Sequence, residues 1–129
     1  MAKDPYKDKL TDEQYRVLRE GETEAPFTGK LLHNEKNGDY VCAACGNVLF
    51  DSNTKFDSGS GWPSFNDPAN TKSVKLIDDD SHGMHRVEVR CAVCNSHLGH
   101  LFNDAPDQPT GLRFCINSAA LDFDEAKTK

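Results

Sequence analysis

Two Cys-x-x-Cys pairs constrain the fold of this chain more than any other feature of the sequence. Cys42 and Cys45 lie in "VCAACGNVLF", and Cys91 and Cys94 lie in "RCAVCNSHLG". A tight turn of this spacing directs two thiolates at one ion, and two such turns supply a tetrahedral site. Four thiolates leave no open coordination position, so we expect one structural Zn²⁺ ion. A thioredoxin-like redox pair and buried structural cysteines are the alternatives.

The residues around each pair favour the metal site over the redox pair. Gly46 and Asn95 directly follow the two pairs, and both residue types tolerate positive φ. A thiolate-binding turn often needs that conformation, whereas a redox pair needs a helix to begin there. The 45 residues between Cys45 and Cys91 exceed a compact zinc ribbon. We therefore expect a β-sheet to be inserted between the two halves of the site.

Composition bounds the class of protein and its compartment. The 129 residues suit a single domain, 1–129, and no apolar run approaches the roughly 20 residues that cross a bilayer. No apolar signal segment is visible, and five cysteines are an odd number for disulfide pairing. A net charge of −6 disfavours nucleic-acid binding. We predict a cytoplasmic monomer that binds neither nucleic acid nor membrane.

One helix is encoded clearly near the start of the chain. Thr11 is a candidate N-cap, Gln14 completes a capping box, and Gly21 suits the C-terminal position. These signals predict a helix over residues 12–20, within a helical and loop segment that covers 1–38.

The rest of the chain carries β-strand signals. Apolar or alternating runs bounded by turn residues predict strands over 39–42, 48–50, 72–77, 86–90, 111–118 and 121–123. Together they form a predicted β core, 39–123, which is followed by a tail, 124–129. The aspartate run 78–80 lacks the spaced ligands of a calcium loop, so we predict a solvated turn within the hairpin loop 78–83.

The fifth cysteine lies on a predicted strand with strict alternation, "GLRFCINS". Leucine, phenylalanine and isoleucine share one face, while Arg113, Cys115 and Asn117 share the other. Arg113 lies about 7 Å along the strand from Cys115. At that distance we expect its charge to lower the pKa of the Cys115 thiol and to favour the nucleophilic thiolate. A small half-buried cysteine without chemistry is the alternative.

The stretch "NSHLGHLFNDAP" follows the second cysteine pair directly. His97 and His100 supply proton donors beside the predicted metal turn, and Asp104 follows them. Structural hydrogen-bonding histidines and a second metal site are the alternatives. A thiol, proton donors and the displayed Trp62 of "DSGSGWPSF" suit attack on a soft electrophile that carries a small apolar group.

Four of these stretches resemble the B-type methionine sulfoxide reductases, the MsrB family. In order they are "CAACG", "FDSGSGWPSF", "VRCAVCNSHLGHLFNDAP" and "GLRFCINSAAL", and "LTDEQYRVLREGETEAPFTG" is also similar to the family. The resemblance implies a mainly β fold in which two antiparallel sheets form a partly open barrel, with short N-terminal helices. It also implies Zn²⁺ on four cysteines: Cys42, Cys45, Cys91 and Cys94.

The resemblance further implies roles around the fifth cysteine. Cys115 matches the nucleophile, and Trp62 matches the aromatic residue that packs on the substrate's ε-methyl group. Arg113 and Asp104 match residues that tune and order the site. The residues that match those around the sulfoxide oxygen are His97, His100 and Asn117. The implied reaction is thiol-dependent reduction of methionine-R-sulfoxide in proteins, in which the Cys115 thiolate attacks the sulfoxide sulfur and becomes a sulfenic acid.

Ser60 departs from the pattern of many family members, which have a cysteine here that attacks the sulfenic acid. Residues 1–41 contain no cysteine that could replace it. We therefore expect reduction by an external thiol, such as thioredoxin, glutaredoxin or a small thiol. Two rival functions remain. One is a zinc-stabilised protein-binding module without catalysis, and the other is a hydrolase that uses Cys115 and His100 on an acyl substrate.

Overall fold

The computed structural model describes residues 10–69, 72–80 and 86–125. These residues contain one α-helix, α1 (Asp12–Glu20), and nine β-strands. The strands are β1 (Gly38–Cys42), β2 (Val48–Asp51), β3 (Lys55–Phe56), β4 (Ser64–Phe65), β5 (Val74–Asp79), β6 (Arg86–Cys91), β7 (His97–Phe102), β8 (Arg113–Ile116) and β9 (Leu121–Glu125). Short 3₁₀ turns lie at Ser52–Thr54 and Ser118–Ala120. No helix in the described ranges is long and apolar enough to cross a membrane.

The strands form two antiparallel sheets that do not close into a barrel. The smaller sheet has the order β2-β1-β9, and the larger one has the order β3-β4-β8-β7-β6-β5. The predicted mainly β fold with two antiparallel sheets is therefore confirmed. The described part of the N-terminal segment contains one α-helix.

Helix α1 begins and ends where its capping signals predict. The Thr11 hydroxyl accepts the N–H of Gln14 at 3.2 Å, and the Gln14 side chain accepts the N–H of Thr11 at 3.0 Å. Gly21 closes the helix with a φ of 75°. The apolar face of the helix is anchored in the core by two buried residues, Val17 and Leu18.

Aromatic side chains join the two sheets in the core. Phe50 of β2 stacks on Phe65 of β4 with ring centroids 4.4 Å apart, and Tyr40 of β1 meets Phe65 edge-on at 5.0 Å. Phe114 of β8 contacts Phe50 at 5.7 Å, and all four rings are buried. Because neighbouring strand residues point to opposite faces, burial of Phe114 turns Cys115 away from this core. This confirms the predicted alternation.

Two residues of the aspartate run belong to a strand, which corrects the predicted turn at these positions. Asp78 and Asp79 end β5 and pair with Val87 and Arg86 of β6. Ladder pairing overrides the low β-propensity of aspartate. The remaining part of the predicted loop beyond residue 80 lies outside the described residues.

Strand pairing also extends the β core beyond its predicted end. β9 continues to Glu125, which pairs with Gly38 of β1. The first two residues of the predicted tail are therefore strand, and 126–129 lie outside the described residues.

Candidate functional site

The two cysteine pairs lie on turns with the same backbone geometry. In each turn the first cysteine donates its N–H to the carbonyl oxygen five residues later and accepts the N–H of the residue four positions later, at 2.8 or 2.9 Å. Gly46 and Asn95 occupy the equivalent position after each pair, with φ of 82° and 64°. This confirms the positive φ predicted at both positions.

The four paired cysteines converge on one point between the turns. Their Sγ atoms all lie within 4.8 Å of one another. The Cys42 and Cys94 sulfurs are 3.7 Å apart, and the Cys45 and Cys91 sulfurs are 3.6 Å apart. All four are free thiols. A tetrahedral zinc ion with Zn–S bonds of about 2.3 Å needs sulfurs about 3.8 Å apart, so the donor set fits such an ion.

Without a cation, hydrogen bonds and burial in the cluster favour ionisation of one thiol and oppose ionisation of two others. A hydrogen bond with Cys91, together with burial, raises the pKa of Cys42 far above its usual range. Burial raises the pKa of Cys45 to about 11. The hydrogen bond from Cys42 lowers the pKa of Cys91 to about 4. A divalent cation would remove this conflict, because metal coordination deprotonates thiols outright.

Neighbouring elements brace the second cysteine turn. Arg19 of α1 donates from Nη1 to the Cys94 carbonyl oxygen at 2.9 Å and to Ser96 Oγ at 3.1 Å. The Asn47 amide nitrogen lies 3.6 Å from the Cys91 sulfur. The four-cysteine cluster is thus connected to helix α1 and, through Ser96, to the start of β7.

Cys115 lies on β8 between two polar neighbours. The strand register places it opposite His100 of β7 on one side and opposite Ser64 of β4 on the other. Directly opposed residues of antiparallel strands have Cβ atoms about 4.5–5.5 Å apart, so His100 and Cys115 share a face. Gly99 permits this approach of the strands, because a Cβ there would collide with the Cys115 carbonyl oxygen.

A β-bulge brings His97 and His100 together. The β6–β7 register shifts so that Arg90 pairs with His97 while Val89 pairs with Gly99. Residues three apart on a regular strand point to opposite faces of the sheet. An extra residue inserted between them by a bulge lets both side chains point to the same face. The two imidazole centroids lie 5.5 Å apart. The bulge breaks the alternation of β7, and sequence reasoning did not predict this strand.

Each histidine is paired with a carboxylate that sequence reasoning did not single out. His97 Nδ1 lies 2.7 Å from Glu88 Oε2, and His100 Nε2 lies 2.8 Å from Asp79 Oδ2. Burial lowers the pKa of His97 and favours its neutral form. An acidic residue inside a predicted strand was an available signal for Glu88. Asp79 was missed because it was assigned to a solvated turn.

A cavity of about 190 Å³ opens beside Cys115. It brings together five residues proposed from the sequence: Trp62, His100, Arg113, Cys115 and Asn117. The rest of its lining consists of Thr23, Ser60, Arg86, Gly99 and Phe102. Larger hollows, of about 250, 280, 420 and 610 Å³, have no cysteine in their lining.

His97 and Asp104 do not line this cavity, although both were predicted as site residues. His97 is 7% exposed, and its Nε2 has no hydrogen-bond partner among the described residues. Arg113 donates to both carboxylate oxygens of Asp104, at 3.0 and 3.1 Å. The guanidinium also lies 4.4 Å from the centroid of the Phe102 ring. Asp104 therefore contacts the cavity only through Arg113, whose orientation it fixes.

The N-terminal segment fixes two walls of the cavity through Glu24. Asn117 Oδ1 accepts the Glu24 N–H at 3.0 Å, and Asn117 Nδ2 donates to the Leu98 carbonyl oxygen at 3.0 Å. The half-buried Trp62 donates its indole N–H to the Glu24 carbonyl oxygen at 3.0 Å. Sequence reasoning did not single out Glu24, because these contacts are made by its backbone.

Burial raises the pKa of Cys115 above its ordinary value, which corrects the direction predicted from Arg113 alone. The charge of Arg113 and a hydrogen bond from Ser60 act in the opposite direction and favour the thiolate. Ser60 belongs to a small hydroxyl cluster, in which it accepts from Ser58 at 2.8 Å while Ser58 lies 2.7 Å from Ser64. Ionisation of Cys115 therefore depends on the charge of Arg113 and the hydrogen bond from Ser60, which counteract the effect of burial on its pKa.

The fold and site define a β protein that combines a four-cysteine cluster of metal-binding type with a separate thiol in a polar and aromatic cavity. A family model described as the SelR domain matches residues 10–125. Peptide methionine sulfoxide reductase MsrB of Photorhabdus laumondii is 60% identical over an alignment of 132 positions that covers 99% of this chain and 96% of that protein. The protein of the same name from Leptospira interrogans is 58% identical over 118 residues, or 92% and 89% of the two chains. The chain belongs to the MsrB family of peptide methionine sulfoxide reductases, which confirms the resemblance seen in the sequence.

A more distant solved structure shares the fold alone. The crystal structure of the Mis18 "Yippee-like" domain has a TM-score of 0.56 and 17% sequence identity. The match covers 72% of this chain and all of that domain. At this identity the similarity describes the β architecture only.

Proposed function

We propose that this protein is a peptide-methionine (R)-S-oxide reductase, which restores methionine from methionine-R-sulfoxide in proteins. The observation that carries the proposal is a free thiol, Cys115, beside His100 and Trp62 in one cavity of side-chain size. The family supplies the substrate class and the R configuration. The family match over 10–125 supports a single domain, and the cytoplasmic location and monomeric state remain predictions.

The first chemical step is attack of the Cys115 thiolate on the sulfoxide sulfur. A neutral sulfoxide is a poor electrophile, so its oxygen must gain a proton as the attack proceeds. The attack forms a bond between the Cys115 sulfur and the substrate sulfur. As this bond breaks, the protonated oxygen passes from the substrate sulfur to the Cys115 sulfur, and methionine leaves as the thioether. The substrate sulfur gains the two electrons that the Cys115 sulfur loses, and Cys115 becomes a sulfenic acid.

His100 is the proposed acid because it lies opposite Cys115 and lines the cavity. Its Nε2 is engaged with Asp79, so in the imidazolium form Nδ1 also carries a hydrogen that it can pass to the oxygen. Asp79 holds the ring in position, as a carboxylate commonly does for a working histidine. His97 is proposed to support His100 from the neighbouring position, 5.5 Å away between ring centroids.

The cavity walls are proposed to hold the substrate side chain. Trp62 packs against the ε-methyl group, and its indole N–H bond to Glu24 fixes the orientation of the ring. Asn117 orders the wall beside the sulfoxide oxygen. Arg113, oriented by Asp104, favours the thiolate of Cys115.

Regeneration of Cys115 is proposed to use an external thiol. The position beside the nucleophile is Ser60, and the four remaining cysteines form the cluster. Two thiol equivalents from thioredoxin, glutaredoxin or a small thiol convert the sulfenic acid to the thiol, giving a disulfide and water. The four-cysteine cluster is proposed to hold one structural Zn²⁺ ion, because its donor set is closed.

The test is reduction of a peptide that contains methionine-R-sulfoxide, with dithiothreitol as reductant. Wild type should form methionine, Cys115→Ser should not, and the matched methionine-S-sulfoxide peptide should not react. No turnover by wild type would contradict the reductase and favour a binding module. Turnover of an activated ester without turnover of the sulfoxide would favour the hydrolase.

A further inference from the structure

We propose that Phe27 forms a docking platform for the polypeptide that flanks the substrate methionine sulfoxide. Its ring would give the enzyme a preference for substrates with an apolar residue close to the oxidised methionine. This inference rests on the proposed function. It concerns how the enzyme recognises the part of the substrate that lies outside the cavity.

The first observation is exposure of an aromatic ring. Phe27 is 66% exposed, and no other phenylalanine, tyrosine or tryptophan among the described residues is exposed. Single exposed apolar residues are ordinary on a protein surface, so exposure by itself does not assign a role. The conformation and surroundings of this residue make it unusual.

The second observation is the backbone conformation. Phe27 has a φ of 64°, a region that bulky L-residues rarely adopt. Its N–H donates to the Gly61 carbonyl oxygen at 2.7 Å, and the Thr28 hydroxyl donates to the Ala25 carbonyl oxygen at 2.6 Å across the same turn. The surrounding contacts thus hold the residue in an unfavourable conformation that leaves its ring in solvent. Strain of this kind is found preferentially at functional sites.

The third observation is direct contact with the loop that carries Trp62. Gly61 has a φ of 90°, and a Cβ there would lie 2.7 Å from Pro26 and 3.0 Å from the Phe27 ring. The Phe27 ring therefore packs on the residue that precedes Trp62. The same N-terminal segment accepts the Trp62 indole N–H and contributes Thr23 to the cavity lining. It thus runs from the cavity wall to the exposed ring, so the ring lies on the segment that forms one wall of the substrate cavity.

The size of the cavity explains why the flanking polypeptide must lie outside it. Its volume of about 190 Å³ is below the roughly 300–1,000 Å³ of pockets that enclose drug-sized ligands. It suits one side chain and leaves the substrate main chain at the rim. An extended chain advances about 3.3 Å per residue, so residues one to three positions from the methionine lie within about 10 Å of it. An aromatic ring next to the Trp62 loop is within reach of those residues.

The experiment compares three substrates that share the same sulfoxide. They are N-acetyl-methionine-R-sulfoxide methylamide, a pentapeptide with methionine-R-sulfoxide flanked by leucines, and the same pentapeptide with serines. The variants are Phe27→Gly and Phe27→Tyr, with Leu76→Ser as a matched control at another exposed apolar residue, which is 51% exposed. Glycine adopts positive φ without strain, so Phe27→Gly removes the ring without disturbing the turn.

The expected result is selective. Phe27→Gly should raise KM for the leucine-flanked peptide about threefold to tenfold, with kcat unchanged and the other two substrates unaffected. Phe27→Tyr should restore KM, and Leu76→Ser should change none of the three. Equal KM changes for all substrates would show that Phe27 only shapes the Trp62 loop, and no change for any would show no contact; both overturn the proposal. Failure of wild type on the small amide would instead contradict the proposed function itself.

Discussion

The four paired cysteines and the single Cys115 illustrate two ways in which a sequence specifies a site. Each paired cysteine lies in a turn whose hydrogen bonds close within six residues, and the second turn repeats the geometry of the first. The surroundings of Cys115 come from segments that are far apart in the chain, including Thr23, Ser60, His100 and Arg113. Local spacing therefore determines the cluster, whereas sheet register determines the thiol cavity.

The largest expected effect is on the stability of the fold, and it should appear for the four-cysteine cluster but not for Cys115. Cys91→Ser leaves three thiolates, so the protein should no longer bind the proposed Zn²⁺ ion and should lose the folded state that depends on it. Structural zinc sites contribute on the order of 10 kcal/mol to folding. Zinc content and the thermal unfolding midpoint are the measurements. Cys91→Ser protein that keeps one equivalent of zinc and the wild-type midpoint would contradict a structural metal.

Cys115→Ser should give the opposite pattern, with the fold preserved and the chemistry lost. Turnover of methionine-R-sulfoxide should fall at least about a thousandfold, because the hydroxyl cannot replace the thiolate as a nucleophile toward sulfur. Zinc content and the unfolding midpoint should match wild type. Residual turnover within tenfold of wild type would remove Cys115 as the nucleophile.

Substitutions of the paired residues His100 and Asp79 should lower the activity by different amounts. His100→Gln removes the proposed acid and should lower kcat/KM about a hundredfold, a typical contribution of acid catalysis. Asp79→Asn keeps the imidazole but weakens its positioning, so a smaller loss and a changed pH profile are expected. Asp78→Asn, on the adjacent exposed position of β5, is the control. Equal activity of the Asp78 and Asp79 variants would show that the His100–Asp79 contact has no role.

The smallest expected effect concerns the ionisation of Cys115. Burial raises its pKa and Arg113 opposes that rise, so the alkylation rate of Cys115 by iodoacetamide should increase with pH as the thiolate forms. Arg113→Met should move the midpoint of this profile to higher pH, and Ser60→Ala should move it in the same direction. A midpoint that falls in Arg113→Met would mean that the arginine does not stabilise the thiolate.

Features that depend on neighbouring residues could be predicted from the sequence, whereas features that depend on strand pairing could not. The helix caps at Thr11 and Gly21 and the positive φ at Gly46 and Asn95 depend on neighbouring residues, and all were predicted correctly. The alternation around Cys115 also identified its buried face, since alternation is a local property of a strand.

The parts that sequence reasoning missed depend on pairing between strands. Asp79 of β5 contacts His100 of β7 across the intervening strand β6. It can do so only because β5 extends beyond its predicted end. His97 and His100 share a face only because of the bulge opposite Arg90. Glu24 contacts Trp62 and Asn117 through its backbone, which no residue type reveals. The raised pKa of Cys115 reflects burial, which the Arg113 position alone does not show.

The most direct test of the account is intact-protein mass spectrometry of the enzyme after one turnover with methionine-R-sulfoxide and no reductant. Wild type should gain a single oxygen atom on Cys115 as the sulfenic acid, and a parallel sample treated with dimedone should instead carry one dimedone thioether on Cys115, with the oxygen lost as water. Ser60→Cys is the matched control, and it should lose two hydrogens instead as a disulfide forms with Cys115. An intramolecular disulfide in wild type, or methionine formation with Cys115 unmodified, would contradict a thiol nucleophile that depends on an external reductant.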